Sequence, residues 1–578
     1  MAATRRALDR LSCASVPEVL TSRWPRLAVA ARRLAPLLVF LVAWAFLDTL
    51  INLHYPGDEP TFWYPLPAID AVVLLAGILV VRRRGRAIPG GVRLLLVVLL
   101  VVVRIFRSAE GVVERHFHRP LNLYLDIPLI PSLTGLLRST VSPGWLVGGI
   151  LLAIAAIGLV GALTWHALRV VERALAGRDA PWLFGATLLV CAALWPLWSP
   201  RHDPHLHHGL FGASVVPRLA REVSFLRHAE DYRREKVESM ARLQAELDGT
   251  PHDLGLLRGA DVLLILVESY GETVFATPSF AHRMVPVLDQ FQRDLGARGF
   301  HSASSLLLSP TYGGRSWLAH GTLATGLRIE DGLAYTMLLD ARPQPLTLAT
   351  CFQRAGYRTA LVLPANSTRF PEGEVSGFQQ RYYAMDLDYH GPSYKWATMP
   401  DQYVLDYVDR HVVARRPDAP ARGPLFVQYA LVSSHSPWSL QPRVVPDWDQ
   451  LDGGRIYNQQ EPVRYAVTWS NLTNGGEAYV TSLIYDFEVL RRYVGERVAG
   501  GALVIILGDH QPSAEVTGDD PSYGVPIHVV SRDRALIDRF TGAGYAPGMQ
   551  PRRGPGAPAP LPMERFLPFF LRLFSTPR

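Results

Sequence analysis

Val262-Leu263-Leu264-Ile265-Leu266-Val267-Glu268-Ser269 is a run of six apolar residues that ends on a carboxylate and a hydroxyl. Nothing polar alternates within it, so as a strand it would be buried on both faces, the signature of a parallel sheet covered by helices on either side. In such sheets ligands collect at the carboxyl ends of the strands, which is where Glu268 stands. A second run, 503–507, has the same character and ends on Gly508-Asp509-His510. Working outward, 359–363, 425–431 and 527–530 read as further strands, and 285–298, 346–355, 402–413 and 477–498 as helices between them. The expected fold class is therefore α/β, with a largely parallel sheet between helices, over 260–545.

Between the two runs lies Thr311-Tyr312-Gly313-Gly314-Arg315-Ser316, a flexible turn leading into a stretch, 317–325, that can be helical. A helix starting there would direct its free N–H groups at an anion. Carboxylates with an imidazole suit Zn²⁺ or Mn²⁺ better than Ca²⁺, and a divalent ion can ionise a serine hydroxyl. Each feature has an ordinary explanation as well: a solvated Glu after a strand, a Gly-Asp-His turn, a Ser that caps a helix. Their joint placement at strand ends favours one site built from Glu268, Ser316, Asp509 and His510.

The first two hundred residues have a different grammar. The chain has 578 residues, is 49% hydrophobic and has mean hydropathy +0.11, and the apolar excess falls in runs at 34–53, 65–81, 145–165 and 182–198. Each is close to the roughly 20 residues needed to span a bilayer. A fifth, 94–106, is shorter and carries Arg104. Arg residues crowd 1–33, 82–86 and 169–178, whereas 54–64 has none, and loops on the cytoplasmic side are the ones enriched in Lys and Arg. Only a genuine span at 94–106 keeps these loops on their proper sides. The expectation is five transmembrane helices in 34–198, the Arg-rich tail 1–33 inside, and everything beyond 198 outside. Arg104, Arg107, Arg115 and Arg119 are exceptions to that pattern. The net charge of +7 is accounted for by the inner loops, so no nucleic-acid partner is implied. Three cysteines give neither a disulfide framework nor a thiolate cluster.

Residues 199–259 read as a juxtamembrane linker, with His202, His205, His207 and His208 at no standard metal spacing, followed by a charged stalk helix at 222–247. Residues 546–578 read as a Pro-rich linker at 551–562 and a short apolar segment at 563–574. That segment either lies on the membrane or docks on the domain, with Phe566, Phe570 and Phe574 on one face if it is helical.

At Leu264-Ile265-Leu266-Val267-Glu268-Ser269, Ser316 with Thr325-Gly326, Ser433-Ser434-His435-Ser436-Pro437-Trp438 and Leu507-Gly508-Asp509-His510, the chain resembles the sulfatase and alkaline phosphatase superfamily. It is most similar there to the membrane-anchored branch of lipoteichoic acid synthases and phosphoglycerol or phosphoethanolamine transferases. The resemblance covers about 260–534. It implies an alkaline-phosphatase-like domain and one divalent ion, Mn²⁺ ahead of Zn²⁺ or Mg²⁺, on Glu268, Ser316, Asp509 and His510. It further implies Ser316 as nucleophile and His435 on the substrate phosphate. Arg315 and Arg369 are candidate phosphate contacts outside that resemblance, with a surface role equally open for either. Ser316 is followed by Trp317-Leu318-Ala319-His320, unlike the frame in which sulfatases make formylglycine. The Trp-Asn-Arg element of the synthases is not reproduced at 366–372.

The function so implied is transfer of a phosphoryl group from a membrane phospholipid, through a phosphoserine, to an envelope glycan or lipid acceptor. The enzyme would sit in the bacterial cytoplasmic membrane with its catalytic domain outside. Two other readings stay open: a phosphatase, phosphodiesterase or sulfatase-like hydrolase on the same fold, and an inactive lipid-binding regulator.

Overall fold

The computed structural model describes residues 25–52, 68–130, 134, 142–177, 180–185, 187–189, 215–369, 375–394, 396–414, 423–467, 475–518 and 522–577. The chain divides into two compact units, Met1–Val113 with Val141–Phe225, and Glu114–Thr140 with Leu226–Arg578.

The first unit is helical. Its main elements are α1 (Pro25–Asn52), α2 (Ile69–Arg83), α3 (Gly90–Phe117, which ends in the second unit) and α4 (Pro143–Ala174). Buried residues of α1, α2 and α4 share one apolar core, among them Phe40, Leu47, Leu75 and Val171. Two stretches among the described residues, Ala35–Asn52 and Pro143–Ala174, are long and apolar enough to cross a membrane, so the expected five-helix block is not confirmed there. The reasons are physical. At 15 residues α2 is too short to span, and α3 is interrupted by charge at Arg93, Arg104, Arg107 and Glu110. The run 182–198 and the histidines at 202–208 lie largely or wholly outside the described residues.

Two of the exceptional arginines are paired within their units. Arg107 binds Glu110, which is also held by Arg218 at 2.8 Å, and Arg119 binds Asp126. Charges neutralised in this way lose much of their weight as topological signals.

The second unit is built on a nine-stranded sheet: β1 (Val262–Val267), β2 (His301–Leu308), β3 (Arg358–Leu363), β4 (Gln380–Tyr383), β5 (Leu425–Ala430), β8 (Leu503–Gly508), β9 (Gly524–Ser531), β10 (Ala546–Pro547) and β11 (Leu561–Pro562). β6 (Leu440–Gln441) and β7 (Val463–Arg464) form a separate small hairpin-like pair. The order is β10-β2-β9-β8-β1-β5-β3-β4, with β11 added parallel to β2. From β8 through β1, β5 and β3 to β4 the pairing is parallel; β9 runs antiparallel to both β8 and β2. The sheet is thus mixed, with a parallel half where the sequence predicts it and an antiparallel half beyond β8.

β1 sits at the centre, and each of its six residues is at most 1% exposed. Leu263, Ile265 and Val267 join one core with α6 (Pro278–Ala297), α7 (Asp401–Val408) and α8 (Gly475–Glu496). Val262, Leu264 and Leu266 join the other, with α9 (Ser316–Thr325), α10 (Leu348–Arg354), α11 (Arg534–Gly542) and α12 (Phe566–Phe574). Burial of such a side chain contributes about 1.5–3 kcal/mol, which is why a strand with no polar face belongs here. The charged helix expected at 222–247 spans Val215–Gly249 (α5). Leu243 and Leu247 of this helix enter the second core.

The apolar end segment docks on the domain: Phe566, Phe570 and Phe574 are at most 1% exposed, and Phe570 packs against Phe352 with ring centroids 5.8 Å apart. Pro568 is tolerated because it lies in the first turn, where its missing N–H has no helical partner to lose.

Candidate active site and metal centre

Three strand ends converge on one spot. β1 delivers Glu268, β8 delivers Asp509 and His510, and the turn after β5 delivers Ser433 to His435. Ser316 is the first residue of α9 and follows Arg315, whose backbone is left-handed at φ 64°. Gly508 is required by close approach, since a Cβ there would stand 1.8 Å from the Tyr270 carbonyl oxygen.

Glu268, Asp509 and His510 are buried and each offers one ligand atom, all within 4.8 Å of one another. Ser316 Oγ donates to Glu268 Oε2 at 3.0 Å and lies 3.1 Å from His510 Nε2. Asp509 Oδ1 accepts from the backbone amides of Ser269 at 2.8 Å and His510 at 2.7 Å, which locks the carboxylate in place. His510 Nδ1 lies 2.7 Å from the Gln511 carbonyl oxygen. A carbonyl can only accept, so Nδ1 carries a proton and Nε2 is the nitrogen that faces Glu268 and Ser316.

This donor set fits a divalent cation. Two carboxylates, an imidazole with its second nitrogen tied to a carbonyl, and a serine oxygen form a hard-to-borderline shell with its orienting partners in place. The electrostatics agree. Burial and the neighbouring Glu268 raise Asp509 to about 7, and His510 rises to about 9 because Asp509 and Glu268 outweigh the effect of burial. Burial would raise Glu268, but the charges of His435 and His510 hold it well below the usual carboxylate range. Packed acids of this kind repel one another until a cation or proton joins them.

His435 is held from behind. Its Nδ1 donates to the Ser436 carbonyl at 2.6 Å and its ring stacks on Trp396 at 4.9 Å, while Ser434 Oγ donates to the Glu268 carbonyl at 2.7 Å. Asp401, fully buried, accepts from the amides of Val432 and Ser433 at 2.9 and 2.8 Å. Asp486 is buried beside it, and burial together with the charge of Asp401 raises its carboxyl far above the ordinary range.

Glu268, Ser316, Asp509 and His510 come together as the sequence predicts, with His435 close enough to act on the charge of Glu268. Arg315 turns elsewhere: its guanidinium carbon lies 5.2 Å from the centroid of the Phe117 ring, and Nη1 donates to the Glu330 carbonyl at 3.3 Å. Arg369 is exposed and lines a surface cavity with Arg381, Tyr383 and Asp386. Sequence reasoning missed His320, whose Nε2 lies 3.8 Å from Asp509 Oδ2 and which burial lowers to about 4. Its position four residues after Ser316, on the same helical face, is the signal that could have found it. Asp401 and Asp486 carried no such signal.

No protein-family model matches the chain, and no curated protein does. Among solved structures it is similar to the lipoteichoic acid synthase LtaP from Listeria monocytogenes, at 13% identity and TM-score 0.35, covering 55% of this chain and 72% of that one. The C-terminal periplasmic domain of EptC from Escherichia coli gives 12% identity and TM-score 0.35, covering 55% and 82%. The phosphoglycerol transferase GacH from Streptococcus pyogenes, in complex with sn-glycerol-1-phosphate, gives 12% and 0.34, covering 58% and 91%.

Proposed function

We propose that this chain is a membrane-anchored, metal-dependent phosphotransferase of the alkaline phosphatase superfamily type. It would take a head group from a phospholipid-type phosphodiester onto Ser316 and pass it to an envelope glycan or lipid hydroxyl. The observation that carries this reading is the Ser316 hydroxyl, 3.0 Å from Glu268 and 3.1 Å from His510 inside a buried carboxylate and imidazole cluster. Glu268, Asp509, His510 and Ser316 would hold the ion, Mn²⁺ first and Zn²⁺ or Mg²⁺ next. When bound it supplies positive charge that favours the serine alkoxide and the phosphoryl oxygens.

The protein's own groups do the rest. The Ser316 hydroxyl proton already points at Glu268 Oε2, so it has an acceptor as the oxygen attacks phosphorus. A Ser316 Oγ–P bond forms as the P–O bond to the lipid breaks, and the departing lipid oxygen takes up the proton that Ser316 gave to Glu268. An acceptor hydroxyl then attacks the phosphoserine, and its proton passes by way of Glu268 to the released Ser316 oxygen. His435 has Nδ1–H committed to Ser436, so only Nε2 faces the phosphate, where it donates as imidazolium and accepts as imidazole. The start of α9 adds the partial positive charge of a helix N-terminus at Ser316.

The anchor supports a lipid donor, because it keeps the site at the bilayer. Residues 114–140 and 226–578 belong to one unit, and in this reading an even number of crossings separates them. α4 would be one crossing, and the apolar run 182–198 is what the sequence offers for the other. Together with the Arg-rich inner loops this supports a multi-pass topology with the catalytic unit outside the cytoplasmic membrane.

The test is to incubate the full chain in vesicles of phosphatidylglycerol and phosphatidylethanolamine with Mn²⁺ and weigh the Ser316 peptide. An adduct of defined mass with matching diacylglycerol release is expected, and its mass names the transferred group. Absence of both overturns the proposal. Release of the head group with water as the only acceptor makes the enzyme a hydrolase.

A further inference from the structure

The turn that carries Ser316 is an unusual piece of backbone. Gly313, Gly314 and Arg315 have φ of 67°, 136° and 64°, three positive values in succession. A non-glycine residue in the left-handed region is disfavoured by about 1 kcal/mol, so surrounding contacts must hold this shape. Gly313 N–H donates to the Gln511 carbonyl at 3.0 Å, which fixes the turn to the loop bearing Asp509 and His510. On its other side lies a piece of chain from far upstream.

That piece is the last turn of α3 and the residue after it. The His116 carbonyl oxygen sits 2.2 Å from where a Cβ on Gly313 would be, a packing that only glycine permits. The Phe117 ring lies under the Arg315 guanidinium at 5.2 Å. The His118 ring meets Tyr312 edge-on at 4.7 Å. Three consecutive residues are therefore laid along the turn that ends in Ser316. The His116 Nδ1 also pairs with Glu515 Oε1 at 2.8 Å, just beyond the metal-ligand loop. The stretch keeps its own form: Arg119 binds Asp126, and Asn122 caps Leu125 at 3.1 Å.

We propose that residues 114–126 are a positioning strap for the nucleophile, with Phe117 as the contact that fixes Arg315 and through it Ser316. None of the three touches the reacting atoms. They restrict the turn to the one shape in which Ser316 Oγ faces Glu268 and His510. Residues 114–126 are then part of the catalytic unit in function as well as in packing. This rests on the reading of Ser316 as nucleophile, so the experiment includes a measurement that does not need turnover.

Full-length Phe117→Ala, Phe117→Leu and His118→Ala are compared with the unaltered chain in detergent micelles. Amide hydrogen exchange over 311–318 is expected to quicken by at least about tenfold in Phe117→Ala, because the opening free energy of that turn falls. On phospholipid, kcat is expected to drop about tenfold or more while KM stays within about twofold, since ground-state binding is untouched. Mn²⁺ affinity should stay within about threefold, and Phe117→Leu should recover most of both losses. Should Phe117→Ala fail to fold, His118→Ala and Phe117→Leu carry the same readouts in the same direction at smaller size. Unchanged exchange over 311–318 in variants that fold overturns the strap, whatever happens to activity. An inactive parent chain in which the variants still quicken exchange would sink the phosphotransferase reading and leave the strap standing.

Discussion

Ser316 Oγ and Glu268 Oε2 stand 3.0 Å apart although 48 residues separate them in the chain. The contact joins the first turn of α9 to the end of β1, so any distortion of either element moves the hydroxyl. Ser316→Ala deletes the oxygen and leaves a helix-compatible methyl. Turnover should fall by about 10³-fold or more, with circular dichroism and melting temperature close to those of the parent. Parent-level release of diacylglycerol from that variant would remove Ser316 from the mechanism.

Ion uptake should be strongly pH-dependent. Asp509 is raised to about 7 and His510 to about 9, and both must lose their protons to ligate. Below pH 7 protons compete at both groups; as pH rises through 7 toward 9 the competition is lost and affinity increases. Calorimetric titration with Mn²⁺ in two buffers of different ionisation heat should show proton release that shrinks as pH approaches 9. Glu268→Gln and Asp509→Asn should lose the ion altogether. Uptake independent of pH between 6 and 9 would contradict the assignment.

His528 gives the second unit an acid-labile point outside the candidate metal-ligand set. Ser304 Oγ donates its single proton to the Gly548 carbonyl at 2.6 Å, so it must accept from His528 Nδ1 at 2.7 Å. Tyr270 O–H then donates to Nε2 at 3.0 Å, and the ring is neutral with no room for a second proton. Burial lowers it to about 3. An unfolded histidine titrates near 6.5, so the unfolded state binds the extra proton first. The contribution of a neutral His528 is fully present above pH 6.5 and is lost as pH falls from there toward 3. His528→Asn, which cannot protonate, should flatten the fall in urea midpoint between pH 6.5 and 4.5 relative to the parent.

The buried acids behind His435 should respond unequally. Asp401 is the acceptor for two backbone amides, and Asp401→Ala strands both, at about 1–3 kcal/mol each. Asp486 is held protonated, so Asp486→Asn replaces one neutral donor-acceptor group by another and should lie within about 1 kcal/mol of the parent. Urea denaturation separates the two. Activity should follow Asp401, because the turn it holds ends on His435.

β1 and β8 were legible as uninterrupted apolar runs, and β3 and β5 as apolar runs that admit Thr359 and Gln428; the candidate site residues stood out because strand ends are where ligands gather. β2 was not, because Ser302, Ser304 and Ser305 interrupt its apolar pattern; Ser304 is buried through its bonds to His528 and Gly548, partners far away in sequence. β11 hides in a Pro-rich stretch, and the antiparallel direction of β9 leaves no trace in a six-residue window. The apolar runs near the start were read by composition, which does not register where α2 stops or which arginines find acids. Arg315 was singled out by its position beside Ser316, whereas its guanidinium lies over the Phe117 ring and bonds the Glu330 carbonyl.

Helix α12 has a further consequence for how the molecule comes into being. Leu254 N–H donates to Ser575 Oγ across 321 residues, and the phenylalanines of α12 fill the core beneath the central strands. Closing so long a loop is entropically slow, and the contacts that repay it come only when both ends are present. A nascent chain would therefore carry an open, sticky sheet until residue 574 had been synthesised. Truncation by even a dozen residues upstream of that point should produce protein destined for proteolysis, however intact its catalytic side chains.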